Sequence, residues 1–170
     1  KNIDKIEKLR YIKKSNLIIN STLILAVLLS GDSNDYEYFC YKYKTSNNLN
    51  NNLGLLFKLY NELKSNKNFF KQDLILNIYK YGNKDIKNVA ILNFFEKSKM
   101  SLDDLNKTID IIEKIKIPKL IYDGSYLKEK GMKEGAIIGK TLKLIENEWL
   151  NNDFKISDQR VVEIIRSQNN

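Results

Sequence analysis

Leucine and isoleucine recur at three- and four-residue spacing along most of the chain, the period of helices that bury one face. Ile3, Ile6, Leu9 and Ile12 trace an amphipathic, basic helix over 3–14 that is already under way at Lys1, as in a fragment of a longer chain. The next helix, over 16–30, is apolar nearly all round and stops at Ser30-Gly31. Its apolar run from Leu17 to Leu29 contains Asn20, Ser21 and Thr22 and is shorter than the roughly 20 residues a spanning helix needs, so it reads as a buried helix. A short helix is expected over 34–42. Ser46 caps the next, 47–64, whose inner face carries Leu49, Leu53, Leu56, Leu59, Tyr60 and Leu63. Phe69–Tyr79 and Asp85–Ser98 read as two helices parted by Tyr81-Gly82-Asn83, and Ser101 with Asp104 forms a capping box for a helix over 102–115. Pro118 closes that run and pushes Ile117 towards extended backbone. After a glycine-marked turn, a long helix spans 135–150, and Ser157 caps the last, 158–167. Strand-length alternation is nearly absent and no constant repeat emerges. The expected fold is therefore all-α, an irregular, non-solenoid array of about eight to nine helices. Its expected parts are a helical region over 1–116 and a helical tail over 117–170.

Composition narrows the chemistry. There is no histidine and Cys40 is alone, so a His/Cys zinc site, a Ser-His or Cys-His pair and an internal disulfide are all excluded. That usage fits a reducing, cytoplasmic setting, and no signal peptide is visible. The net charge is +8, but the lysine, asparagine, isoleucine and tyrosine that dominate the chain are the residues of A/T-rich codons. Only Arg10, Arg160 and Arg166 are arginines, whereas bidentate phosphate or guanine contacts favour arginine. Local clustering of charge is therefore more informative than its sum.

Such a cluster lies at 117–140, which holds the only proline and Gly124, Gly131, Gly135 and Gly139. A tight turn opening into a helix without bulky first residues leaves backbone N–H groups accessible to a phosphate. Lys128, Lys130, Lys133, Lys140 and Lys143 supply counter-charge around it. The candidate RNA-binding residues are those lysines with Gly131, Gly135, Ala136 and Gly139. The competing explanation is a glycine turn that only lets two helices pack. A second cluster interleaves Tyr36, Tyr38, Phe39, Tyr41 and Tyr43 with Lys42 and Lys44, as base-stacking platforms do. The helical spacing of Tyr38, Tyr41 and Phe39 favours core filling instead, and Trp149 likewise reads as a core anchor.

Pro118, Gly124, Leu127, Gly131, Gly135, Ile138, Gly139, Leu142, Leu144 and Trp149 follow a pattern that resembles the C-terminal half of the bacterial tRNA nucleotidyltransferases, the CCA-adding enzymes and their poly(A) polymerase relatives. In that family a Gly-x-Asp-Leu signature is followed by a Gly, a Pro-Gly, an Ile-Gly and a helix ending near a tryptophan. Tyr126 stands here where the signature aspartate would be, and Glu134 where the proline would be. Upstream, 23–29 resembles the apolar helix that starts the family's body region, and 43–47 its short element before the next helix.

The resemblance implies the body and tail of such an enzyme without its catalytic head. The head needs an Asp-x-Asp pair for two magnesium ions, and no Asp-x-Asp occurs in this sequence. Asp103 and Asp104 are adjacent, so on a helix they diverge, and helix capping is their expected role. The neck signature is also unmatched, Asp158-Gln-Arg160 standing alone. By resemblance the chain binds tRNA along the acceptor stem and elbow through its backbone and is inactive alone, with no membrane partner. Magnesium and CTP or ATP belong to a head on this or another chain. The alternatives are a helical protein-interaction module or the decayed remnant of a split nucleotidyltransferase gene.

Overall fold

The protein is described by a computed structural model, in which residues 2–13, 17, 19–30, 35–96 and 100–169 are placed. Those residues contain nine helices and no strand: α1 (Asn2–Lys13), α2 (Ser21–Leu29), α3 (Asp35–Tyr43), α4 (Asn47–Ser65), α5 (Leu74–Glu96), α6 (Leu102–Lys114), α7 (Gly124–Glu129), α8 (Ala136–Asn151) and α9 (Asp158–Asn169). The all-α expectation is met. Contacts divide the chain into two compact units, Lys1–Ile115 and Lys116–Asn170.

In the first unit α5 packs against α6, α4 and α2, and the core gathers Leu23, Leu53, Leu59, Ile78, Ile86, Leu92, Leu105 and Ile112. Caps fix several helix starts. The Ser46 side chain accepts from Leu49 N at 3.3 Å, and Ser101 and Asp104 close a capping box. The hydrogen bonds from Ser101 hold the Asp104 carboxyl below its usual range, so this aspartate serves the helix start. Two lysines of α1 bond to carbonyls near the C-terminal ends of other helices. Lys5 is buried, donates to Val27 O at 3.1 Å and pairs with Glu96 at 2.7 Å. Lys8 donates to Phe94 O at 2.8 Å, where a cation also complements the helix dipole.

Two boundaries differ from the sequence expectation, and a third feature, the break at Gly82, meets it. α2 begins at Ser21 because the Asn20 side chain accepts from Leu23 N at 2.8 Å and caps the helix there; Gly31 lies outside the described residues. Residues 67–73 form turns, so helix starts at Leu74 and not at Phe69. Asn66 accepts from Asn68 N at 2.9 Å and donates to Asp73 at 2.7 Å, while Phe69, Lys71 and Asp73 N–H groups bond to backbone carbonyls within the turns, so the segment is satisfied without a helix. From Leu74 to Glu96 the helical assignment is continuous, yet Gly82 has φ 82° and ψ 157°, a break at the expected position.

The second unit has a smaller core of Tyr122, Leu127, Met132, Ile145, Val161, Ile164 and Ile165, with α8 packed on α7 and α9. Trp149 is buried against Phe154, their rings 4.9 Å apart, as expected of a core anchor. Ser157 caps α9 by accepting from Arg160 N at 3.2 Å, and Arg160 links α9 to α8 through Glu148 at 2.6 Å. The Tyr122 hydroxyl donates to Asp158, and burial followed by that bond pushes its pKa up to about 12.

Candidate nucleic-acid interface

α7 was not expected from sequence. Its six residues hide in the glycine-rich segment, and the Asp123 side chain caps it by accepting from Tyr126 N at 2.9 Å. It ends in a Schellman turn: Met132 N bonds to Leu127 O at 3.0 Å, Gly131 N bonds to Lys128 O at 2.9 Å, and Gly131 has φ 90°. Met132 is buried beside Leu127, which fastens the middle of the segment to the core. α8 then opens on Gly135, at φ 133°, with no side-chain cap. Its first N–H groups thus lack the partner that Asn20, Ser46, Ser101 and Asp123 give other helices.

All nine candidate residues, Lys128, Lys130, Gly131, Lys133, Gly135, Ala136, Gly139, Lys140 and Lys143, are exposed. Ala136, Gly139, Lys140 and Lys143 share one helical face of α8, opposite Thr141, Ile145 and Trp149 in the core. The five lysines are not equivalent. Lys128 is ion-paired with Glu134, and the Lys130 ammonium lies 5.4 Å from the Tyr126 ring centroid. Lys133, Lys140 and Lys143 have no such partner among the described residues. Sequence reasoning ranked the lysines alike because it could not see these pairings.

The glycines also separate by cause. Gly131 and Gly135 answer to positive φ, and a Cβ on Gly124 would touch Ile138 at 3.5 Å, an ordinary contact. Gly139 answers to neither, since it sits inside α8 and a Cβ there would meet nothing within 4 Å. An interior helical glycine costs about 0.5–1 kcal/mol relative to alanine. The packing of α8 gives nothing back for it. Such a surface, with bare backbone, an uncapped helix start and three unpaired ammonium groups, can take an anion close to the main chain.

Residues 18–165 match the family model described as tRNA nucleotidyltransferase domain 2. The chain belongs to that family. No curated protein and no solved structure gives a significant match. Within this tRNA nucleotidyltransferase domain, the two departures noted in the sequence have local roles. Tyr126 packs on Tyr122, with ring centroids 5.0 Å apart, beneath Lys130, and Glu134 neutralises Lys128. An acidic side chain at the start of the segment, Asp123, caps α7. The family's nucleotidyl-transfer chemistry implies magnesium, and the donors among the described residues do not fit it. Asp104 is committed to its capping box, and no cluster of three or more acidic, histidine or cysteine side chains occurs among the described residues. No helix among those residues is long and apolar enough to cross a membrane.

Proposed function

We propose that this chain is the tRNA-holding part of a nucleotidyltransferase, gripping the acceptor stem and elbow by their backbone while a catalytic head on this or another polypeptide adds nucleotides. Family membership supports the substrate class, and the observation that carries the grip is Gly139, exposed on α8 with nothing of its own unit near it. A phosphate fills the space a Cβ would take and meets the open start of α8. Lys133, Lys140 and Lys143 provide the charge, and Lys128 and Lys130 take part once released from Glu134 and Tyr126. Recognition of this kind reads A-form shape and phosphates, not base edges. Magnesium and the nucleoside triphosphates act at the head, in a cytoplasmic setting.

The test is titration of the chain with an intact tRNA transcript and with a plain RNA duplex of similar length, each at two salt concentrations. The tRNA should bind more tightly and weaken steeply with salt. Lys140→Ala should lower the logarithmic salt slope by about one. Gly139→Leu should weaken binding about tenfold or more, the effect of losing one charge-assisted contact. Chain, tRNA, magnesium and nucleotides alone should give no extended tRNA. Equal affinity for both RNAs, or salt-insensitive binding, would overturn the proposal; the latter would favour an apolar protein partner.

A further inference from the structure

The tyrosines of α3 stand differently from their sequence expectation. Helical spacing assigned Tyr38 and Tyr41 to a core, yet Tyr38 is 64%, Tyr41 85% and Tyr43 61% exposed. The helix is anchored by other residues: Cys40 is buried, Phe39 packs on the core, and Tyr36 stacks on Phe57 with ring centroids 4.8 Å apart and planes 13° off parallel. Core packing is therefore satisfied without the three exposed rings. Tyr38 and Tyr41, three residues apart, form a band on the solvent-facing side of α3, with Tyr43 at its C-terminal end. The Lys42 ammonium lies 5.6 Å from the Tyr38 centroid and 5.7 Å from the Tyr43 centroid, joining the two rings. Phe39 flanks Tyr43 at 4.8 Å. Lys44 closes the helix at φ 47°, a left-handed position that glycine occupies more easily, so the chain places a cation there against local preference. The acidic neighbours are Asp35 and Glu37; Glu37 is exposed four residues before Tyr41 and accepts from the Tyr36 hydroxyl at 3.0 Å.

We propose that this band is a stacking platform for unpaired RNA nucleotides, a second site in the first unit, separate from the α7–α8 turn. Its chemistry selects that occupant. Flat rings accept any base face, and cations among and beside them follow a phosphodiester backbone. The band itself contains no aliphatic side chain, whereas grooves that bind partner helices rely on aliphatic anchors.

The experiment compares binding of an unstructured oligouridine, an oligoadenosine and a hairpin duplex to the full chain and to three variants: Tyr38→Ala/Tyr41→Ala, Tyr38→Phe/Tyr41→Phe and Lys140→Ala. Circular dichroism verifies that each is folded. The alanine pair should weaken single-strand binding on the order of tenfold or more and leave duplex binding unchanged. The phenylalanine pair should bind like the parent, because the ring and not the hydroxyl is used. Lys140→Ala should spare the single strands, so that failure of the α7–α8 grip is read separately. Parental single-strand affinity in the alanine pair, no single-strand binding by the parent, or equal loss in the phenylalanine pair would each overturn the platform. So would an alanine pair that alters only self-association in sedimentation, which would assign the band to a protein contact.

Discussion

Lys1–Ile115 buries polar anchors inside its core, whereas Lys116–Asn170 keeps its ion pairs at the surface. In the first unit Lys5, Asn77 and Asn93 are buried, and Asn77 donates to Phe69 O at 3.0 Å to hold the 67–73 turns. In the second, Thr141 is the buried polar residue among those described, while Lys128–Glu134 and Arg160–Glu148 lie in or near solvent. Buried polar contacts tolerate little rearrangement and fix one packing. Solvated pairs exchange cheaply, as a surface that trades partners with a ligand requires. The larger unit is thus built to stay fixed, and the smaller combines a thin core with an adaptable rim.

The largest expected effect separates the two cores. Leu127 is fully buried, and Leu127→Ala should cost about 2–5 kcal/mol, melting the second unit in a calorimetric transition of its own while the first persists. A single shared transition at the lower temperature would mean that the units do not unfold separately. Lys5→Met strikes the first unit by leaving Glu96 and the Val27 carbonyl without their cation. It should cost about 3 kcal/mol in denaturant unfolding and leave amide exchange in the second unit unchanged.

These targets were unequally legible in the sequence. Leu53, Leu56 and Leu59 declared the buried face of α4, and Ser46, Ser101 and Ser157 declared their caps, because both signals are local. The 67–73 turns were hidden, since Phe69 and Phe70 look helical until Asn66 and Asp73 are seen bonded across them. In α3 the rings fall on several sides of one short helix, so periodicity could not say which faced inward. At the candidate interface the glycines and lysines were legible as a set. The pairings that sort them, Lys128 with Glu134 and Lys130 with Tyr126, depend on α7, which is too short for its period to register.

Smaller effects sharpen the contrast. Asp123→Ala should cost about 1 kcal/mol by uncapping α7, visible as faster amide exchange confined to the second unit. Alkaline pH should weaken both units. Tyr60 in the first, mainly through burial, and Tyr122 in the second, through burial and then its bond to Asp158, are each pushed up to about 12 from the ordinary 10.0. A raised folded pKa favours the neutral phenol, so the linked stability is complete below about pH 10 and is lost as pH rises towards 12. Tyr122→Phe should flatten that decline in the second unit alone. The smallest effect carries the opposite sign: Gly139→Ala should stabilise α8 by about 0.5–1 kcal/mol in thermal unfolding. A loss of stability there would show that the glycine serves the fold.

Met132 gives the turn a kinetic character. With its side chain buried and its N–H bonded to Leu127 O, the backbone on both sides is ordered without a partner, so in the proposed RNA-holding role no loop would have to fold on contact. Lys133, Lys140 and Lys143 stand on long stems without a partner among the described residues, each of which loses rotamer freedom if held in one pose. A rigid main chain bearing loose charges favours rapid capture and short residence. Replacing those lysines with arginine, whose fork loses less freedom for each bond it makes, would lengthen the dwell time before it changed the rate of encounter.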